Sequence, residues 1–85
     1  MKYFVYLLIS IKNNPPLTYV GYTNNLSKRL KLHNSSKGAK FTRGRKWKIL
    51  FKKAYNSKSE AMKNEYVLKK DKKKRLILKN KYISK

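Results

Sequence analysis

Glu65 is the residue of this chain whose type and position most strongly indicate chemistry. Only three of the 85 residues are acidic, against 24 Lys and Arg, for a formal charge of +21. Glu60 is explained as part of a capping box that begins at Ser57. Asp71 is explained as the N-cap of a last helix, where the helix dipole favours a carboxylate. Glu65 has no comparable explanation, so its carboxylate is a candidate functional group.

The predicted helix around Glu65 gives this carboxylate two interpretations. On a helical wheel it falls on an inward-facing arc with Ala61, Met62, Tyr66 and Leu68. A carboxylate facing an apolar interface is costly unless it is paired or binds a metal. One interpretation is a buried salt bridge to a Lys or Arg. The other is a ligand for Mg²⁺, which prefers oxygen and is often held by one carboxylate together with substrate phosphates and waters.

Four further residues have side chains that are candidates for binding a phosphate or for taking part in its hydrolysis. Arg29 and His33 are spaced i, i+4 and therefore share one side of a predicted helix. An arginine there can bind a phosphate through two donors and stabilise charge in a transition state. Tyr6 and Tyr19 lie on neighbouring predicted strands, where two phenol groups can meet. Each residue alone also has a plainer interpretation: a solvated Arg, a surface His and two packing Tyr.

Three strands and three helices are predicted to position these side chains. The strands are 3–9, 17–22 and 47–55, where aromatic and β-branched residues are frequent, and a turn is predicted at 12–16. In the third strand, Trp, Ile and Phe alternate with Lys and Leu, which predicts one face more polar than the other. A helix capped by Thr23 or Asn24 runs to about residue 33, and a loop follows at 34–46. The second helix runs from the capping box to about residue 69, and the third follows Asp71.

The bulk composition predicts one small folded domain, 1–85, that binds nucleic acid. Hydrophobic residues make up 40% of the chain, too many for a disordered basic tail. With no Cys and one His, disulfides, thiolate metal sites and His-cluster zinc sites are excluded. The apolar run 3–11 is shorter than the ~20 residues that span a bilayer. We therefore expect a cytoplasmic protein without a membrane partner, although a polybasic membrane-surface protein is an alternative.

Together these residues resemble the GIY-YIG nuclease domain. Phe4-Val5-Tyr6 stands where that family has Gly-Ile-Tyr, and Tyr19-Val20-Gly21 where it has Tyr-Ile-Gly. The stretch 19–34 is similar to the branch of small bacterial stand-alone proteins that also includes catalytic subunits of structure-specific endonucleases. Segments 37–45 and 59–65 continue the resemblance, which covers nearly the whole chain.

The resemblance implies a fold and a set of roles. The fold is a small α/β (α+β) sandwich, a three-stranded antiparallel sheet flanked by helices in the order β-β-α-β-α-α. Glu65 would be the single Mg²⁺ ligand, with Mn²⁺ as a substitute, and Arg29 the phosphate clamp. Tyr6 and Tyr19 would position or help deprotonate the attacking water, and His33 would assist proton transfer or contact phosphate. Gly21 would allow close backbone approach at the site.

The predicted function is Mg²⁺-dependent hydrolysis of DNA, selected by shape or unspecific. Basic residues of the loop would hold the backbone without reading sequence: Lys37, Lys40, Arg43 and Arg45. The alternatives are a nucleic-acid-binding module on the same scaffold that does not cut, or that cuts only with a protein partner supplying specificity. A small RNA-associated protein is a third interpretation, in which Glu65 has no purpose.

Overall fold

Residues 1–12 and 15–84 are described by the computed structural model, and their elements follow the predicted order. The strands are β1 (Tyr3–Ser10), β2 (Leu17–Thr23) and β3 (Lys48–Tyr55), and the helices are α1 (Leu26–Asn34), α2 (Lys58–Lys70) and α3 (Lys72–Ile83). A short 3₁₀ helix, Lys40–Thr42, interrupts the predicted loop. The turn predicted at 12–16 includes Asn13 and Asn14, which lie outside the described residues. The predicted α+β architecture is confirmed.

The sheet is antiparallel with the strand order β2-β1-β3, so β1 is central. In the register of β1 with β2, Tyr6 stands opposite Gly21 and Leu8 opposite Tyr19. Successive side chains of a strand point to opposite faces. Tyr6 and Leu8 therefore lie on one face, and Leu7 lies on the other.

Each face of the sheet has its own core cluster. Tyr6, Leu8 and Trp47 form one cluster, against which Leu26 and Leu30 of α1 pack. The other cluster is made by β1, β2 and α2, with members Val5, Leu7, Val20, Ala61 and Leu68. Burial of these side chains on both faces explains why almost the whole of β1 is removed from solvent. β1 thus packs against helices on both faces of the sheet.

A β-bulge in β3 overturns the predicted alternation of that strand. Leu7 pairs with Phe51 but Leu8 pairs with Ile49, which leaves Leu50 as an extra residue. Ile49 packs in the Tyr6 cluster, whereas Leu50 and Phe51 both pack against the opposite cluster. The expectation that Trp47, Ile49 and Phe51 share a face is wrong because one inserted residue shifts every later side chain to the other face.

The helix caps agree with prediction at α2 and α3 and differ at α1. The Ser57 hydroxyl accepts the Glu60 amide at 3.2 Å, and Asp71 Oδ1 accepts the Lys74 amide at 3.0 Å. The cap of α1 is Asn25, not Thr23 or Asn24, since Asn25 Oδ1 accepts the Lys28 amide at 3.1 Å. Thr23 instead accepts the Asn25 amide at 3.1 Å and so positions the cap.

Replacement of the cap of α2, the helix that carries Glu65, provides a test of this local structure. We expect Ser57→Ala to lower the free energy of unfolding by about 1 kcal/mol, because the Glu60 amide loses its acceptor. Urea unfolding followed by circular dichroism measures the change. Ser59→Ala, at an exposed position in the same first turn, is the matched control. Equal losses in the two variants would contradict the capping role.

Candidate active site

The hydroxyl of Tyr6 is the point at which the candidate residues meet. It lies 3.0 Å from Nε2 of His33, and both side chains are buried, at 1% and 0% exposure. Arg29, one turn before His33 on α1, acts on the same hydroxyl through a side-chain hydrogen bond and through its charge. The i, i+4 spacing therefore does place Arg29 and His33 on one side of α1, facing the sheet.

The other ring nitrogen of His33 determines which tautomer is present. Nδ1 lies 2.9 Å from the hydroxyl oxygen of Thr42, and that hydroxyl donates to the carbonyl of Ala39 at 2.8 Å. A carbonyl only accepts, so Thr42 donates to Ala39 and accepts from an Nδ1–H of His33. Nε2 then carries the lone pair and accepts the proton of the Tyr6 hydroxyl. A directed chain runs from Tyr6 through His33 and Thr42 to Ala39.

Burial keeps both members of the Tyr6–His33 pair neutral. It lowers the pKa of His33 from 6.5 to about 4, and the charge of Arg29 acts in the same direction. Burial also raises the pKa of Tyr6 above 10.0, although the hydrogen bond and charge of Arg29 oppose it. The charges of Tyr19 and Glu65 contribute to raising the pKa of Tyr6. At neutral pH the phenol is therefore a donor and the imidazole an acceptor, as the tautomer requires.

Two glycines make the space that this pair occupies. A Cβ at Gly21 would overlap the hydroxyl of Tyr6, its partner across the strands. A Cβ at Gly38 would overlap Nδ1 of His33 and lie 2.9 Å from Cε1. The close approach predicted at Gly21 is thus an approach by the Tyr6 ring. Gly38 was not predicted to belong to the site. The sequence does offer a hint, because Gly38 is one of only three glycines in the chain and follows the single His by five residues.

Tyr19, Arg29 and Glu65 are partly exposed, and we call these three residues the rim of the site. The ring centroid of Tyr19 is 5.1 Å from that of His33. Glu65 extends from α2 and is near enough for its charge to act on the Tyr6 hydroxyl. The fold therefore brings all five predicted residues together. It also separates them into a buried floor, Tyr6 and His33, and a rim of three.

The surroundings of Glu65 differ from the predicted inward arc. Ala61 and Leu68 are buried, but Met62 and Tyr66 are 48% and 59% exposed. The buried stripe of α2 is narrower than predicted, because Ala61 and Leu68 are the described helix residues that join the core cluster. Glu65 lies between them along the helix and is partly exposed. Among residues 1–12 and 15–84, Glu65 forms no hydrogen bond or ion pair, so the salt bridge of the alternative interpretation is not found there.

The carboxylate at the rim is suited to bind a hard cation that takes few of its ligands from the protein. Within the described part of the chain, no group of three or more His, Cys, Asp or Glu side chains converges. Mg²⁺ commonly keeps several waters and uses one or two carboxylates together with substrate phosphates. The partly exposed Glu65 meets that requirement, and its charge acts on the same Tyr6 hydroxyl to which Arg29 is hydrogen-bonded.

The basic loop is anchored to α1 by side chains that sequence reasoning missed. Asn34 accepts the backbone amide of Trp47 at 2.6 Å and donates to its carbonyl at 3.1 Å. The indole of Trp47 donates to the carbonyl of Thr42 at 3.0 Å. These bonds close the loop onto the His33 ring. No sequence pattern indicated a role for Asn34 and Thr42, because hydrogen bonds between a side chain and a distant backbone group follow no fixed separation along the chain.

Three of the four predicted DNA-contacting residues of this loop, Lys37, Lys40 and Arg43, are exposed. Arg45 differs: its guanidinium lies over the ring of Phe41, 5.6 Å from the centroid, and Nη1 donates to the Arg43 carbonyl at 3.4 Å. Its Nε is buried and has no partner among the described residues. Packing against Phe41 thus holds much of the Arg45 side chain that the prediction assigned to phosphate.

The depressed pKa of His33 leads to a pH-dependence that can be measured. The unfolded chain takes up the imidazole proton near pH 6.5, whereas the folded protein takes it up near pH 4. The unfolded state therefore binds more protons between these values, and we expect the free energy of unfolding to fall as the pH is lowered from about 6.5 to about 4. The imidazole NMR signals of this single His should titrate near pH 4. A midpoint near 6.5 would contradict the buried neutral pair.

Comparison with known proteins indicates the family of this chain. Residues 2–82 match the family model of the GIY-YIG catalytic domain. A UPF0213 protein of Oceanobacillus iheyensis is 45% identical over 69 residues, 80% of this chain and 77% of the relative. The UPF0213 protein YazA of Bacillus subtilis is 47% identical over 70 residues, 79% of this chain and 71% of the relative.

A solved structure points to the same assignment. The solution NMR structure of a UPF0213 protein from Bacillus halodurans has a TM-score of 0.50 at 40% identity, and the match covers 91% of this chain and 83% of that one. GIY-YIG domains form a family of nucleases that act on nucleic acid and are generally metal-dependent. The five candidate residues lie within the matched segment. The chain therefore belongs to the GIY-YIG catalytic domain family.

Proposed function

We propose that this protein is a Mg²⁺-dependent endonuclease that hydrolyses DNA phosphodiester bonds. The supporting observation is the convergence of four side chains, from three different elements, on the Tyr6 hydroxyl: Tyr19 from β2, Arg29 and His33 from α1, and Glu65 from α2. Arg29 and Glu65 have opposite charges, yet they form no ion pair with each other. A buried structural network explains Tyr6 and His33. It does not explain why two opposite charges at the rim form no ion pair within residues 1–12 and 15–84, an arrangement that suits a phosphate and a cation.

The burial of the site divides the work between the two tyrosines. Tyr19 is partly exposed, so we assign it the contact with the attacking water, which it orients through its hydroxyl oxygen. Tyr6 is buried and acts as a positioning residue. Because its proton is held by His33, its oxygen presents lone pairs to Arg29 and fixes the guanidinium. Arg29 binds the phosphoryl oxygens and stabilises the charge that develops on them.

Glu65 is the residue that would hold the metal, Mg²⁺ or Mn²⁺ in its place. The ion would supply positive charge for the non-bridging oxygens and for the leaving 3′ oxygen. Water attacks the phosphorus in line, the bond to the 3′ oxygen breaks, and the proton lost by the water is balanced by one that the 3′ oxygen takes up from solvent. Lys37, Lys40 and Arg43 contact neighbouring phosphates, which positions the DNA without specifying its sequence. We place this activity in the cytoplasm, with selectivity from DNA shape or from a protein partner.

One observation favours a second candidate function. Tyr6 and His33 are 1% and 0% exposed, so the described conformation offers the phenol and imidazole to no substrate. A module that binds nucleic acid through its +21 charge, and does not cut alone, accommodates that burial. The two functions differ in one measurable property, metal-dependent strand cleavage.

Glu65→Gln distinguishes these functions. We expect it to abolish cleavage in Mg²⁺ or Mn²⁺ while DNA binding is retained or tightened, because a negative charge near phosphate is removed. Arg29→Ala should slow cleavage about 10²–10³-fold through loss of a charge-stabilising donor. The assay is cleavage of labelled duplex, single-stranded, flap and junction DNAs, with EDTA as the blank.

Glu60→Gln is the matched control for this experiment, since it makes the same chemical change at an exposed position on the same helix. It should cleave at the wild-type rate. Full cleavage by Glu65→Gln would contradict the role of Glu65. Tight binding by the wild type without cutting, under either metal, would favour the binding module.

A methyl group added at Gly38 tests the positioning role of the buried pair. We expect Gly38→Ala to slow cleavage about 10²-fold by displacing His33, and through it Tyr6 and Arg29. DNA binding, measured by fluorescence anisotropy, should stay unchanged. Gly44→Ala adds a methyl to the same loop where nothing lies within 4 Å, and its φ of +71° makes that change destabilising by itself. Equal loss of activity in both variants would indicate general loop damage instead.

A further inference from the structure

An exposed aromatic side chain stands immediately beside the candidate active site. Phe41 is 48% exposed, and its ring is stacked with that of Tyr19, with centroids 6.1 Å apart and planes 19° from parallel. Phe41 also lies 6.2 Å from the buried indole of Trp47. The bonds that anchor the loop at Thr42 and Trp47 hold it in place. The Arg45 guanidinium lies over the same ring, 5.6 Å from its centroid. The proposed catalytic residues leave this aromatic surface without a role.

Phe41 and Tyr19 line a groove of about 230 Å³ together with two cationic side chains. Thr18 and Val20 of β2 also line it, and Lys69 and Arg75 contribute the positive charge. An aromatic wall beside cations is the arrangement that single-stranded nucleic acid requires, since bases stack on aromatic rings and phosphates pair with Lys and Arg.

Arg75 is held rigidly at this groove. Its Nε donates to the carbonyl of Leu68 at 3.1 Å, and its Nη2 donates to the carbonyl of Lys69 at 3.0 Å. These bonds cap the end of α2 and use two of the five N–H donors of the guanidinium. Since the side chain is already ordered, binding a phosphate through the remaining donors requires little further loss of entropy.

The cationic surface continues beyond the groove. Thr18 and Arg75 also line a second cleft, together with Lys72, Leu76 and Lys79 of α3. The two clefts therefore adjoin and form a continuous track from Phe41 along α3. Neither set of lining residues includes a carboxylate.

We propose that this track binds a single-stranded DNA segment adjoining the scissile phosphate, with one unpaired base stacked on Phe41 in place of the Arg45 guanidinium that lies over the ring here. Its backbone would run along Lys69, Arg75, Lys72 and Lys79. Tyr19 belongs both to the groove and to the rim of the site, so the stacked nucleotide lies next to the phosphate that is cut. A base inside a duplex is already stacked and paired and cannot lie on Phe41. The inference rests on the proposed nuclease function and defines its substrate as DNA with a single-stranded segment.

The test is a binding measurement without metal, so that cleavage does not enter. Labelled oligothymidine, a blunt duplex and the same duplex with a single-stranded tail are titrated with the full chain in EDTA. We expect the oligothymidine and the tailed duplex to bind more tightly than the blunt duplex. Base stacking should also change the fluorescence of Trp47, the single tryptophan, which lies against Phe41.

Substitutions at Phe41 separate aromatic stacking from simple bulk. Phe41→Ala and Phe41→Leu should weaken oligothymidine binding about tenfold or more, whereas Phe41→Trp should retain it, because only an aromatic face stacks with a base. Blunt-duplex binding should be unchanged in all three. If Phe41→Leu binds oligothymidine as the wild type does, the stacking proposal is overturned.

A matched pair of variants on α2 tests whether the cationic side chains of the groove bind phosphate. Lys69→Gln should reduce the dependence of oligothymidine binding on salt, by a slope of about 0.7 for one lost phosphate contact. Lys63→Gln removes the same charge from an exposed position of this helix that does not line the groove, and it should leave that slope nearer the wild-type value. Equal slopes for the two variants would overturn the track.

The two proposals fail in different ways. If the wild type never cuts in Mg²⁺ but shows Phe41-dependent binding of single strands, the nuclease function is wrong and the track remains as a binding site. If it cuts, but its binding and its choice of substrate are indifferent to Phe41, the nuclease function stands and the single-strand track is wrong.

Discussion

The buried hydrogen-bond chain from Tyr6 through His33 and Thr42 to Ala39 is the interaction on which the candidate site depends. It joins the central strand, the first helix and the basic loop at one imidazole. Each polar atom of that ring is satisfied, so the ring remains buried and neutral without an unpaired group. If His33 were charged, burial would oppose folding, which is why its pKa lies near 4.

Space around this chain is as restrictive as its hydrogen bonds. Gly21 and Gly38 face the Tyr6 hydroxyl and the His33 ring, and a methyl group on either would overlap them. The central strand adds a second constraint, because its side chains alternate between two core clusters. A shift of one residue in its pairing would move Tyr6 to the opposite face and dismantle the site. Packing, pairing and hydrogen bonding thus specify one position for a single phenol.

Because the chain is strongly positive, the few groups at the rim of the site that are not cationic are informative. A chain with 24 basic and three acidic residues attracts phosphate over much of its surface, which provides affinity but no chemistry. Selectivity needs local differences, and the structure has two of them. One is Glu65, a carboxylate that has no ion pair among the described residues and whose charge acts on the Tyr6 hydroxyl, as that of Arg29 does. The other is the exposed Phe41, stacked with Tyr19. Both adjoin the same site, so cutting and the proposed recognition of a single strand would occur at neighbouring nucleotides.

The order of the elements, the caps at Ser57 and Asp71, and the five candidate residues could all be predicted from the amino-acid sequence. These depend on local patterns: strand alternation, helix spacing, a cap three residues before its partner, and the excess of charge that made Glu65 stand out. The bulge in β3 and the exposure of Met62 and Tyr66 were beyond it, since both depend on how a neighbouring strand or sheet packs. The folded structure was needed to show that Tyr6 and His33 are buried, that Tyr19, Arg29 and Glu65 are partly exposed around them, and that Gly38, Thr42 and Asn34 support the site. Burial and hydrogen bonding between residues far apart in the chain follow from three-dimensional packing, which no spacing along the sequence encodes.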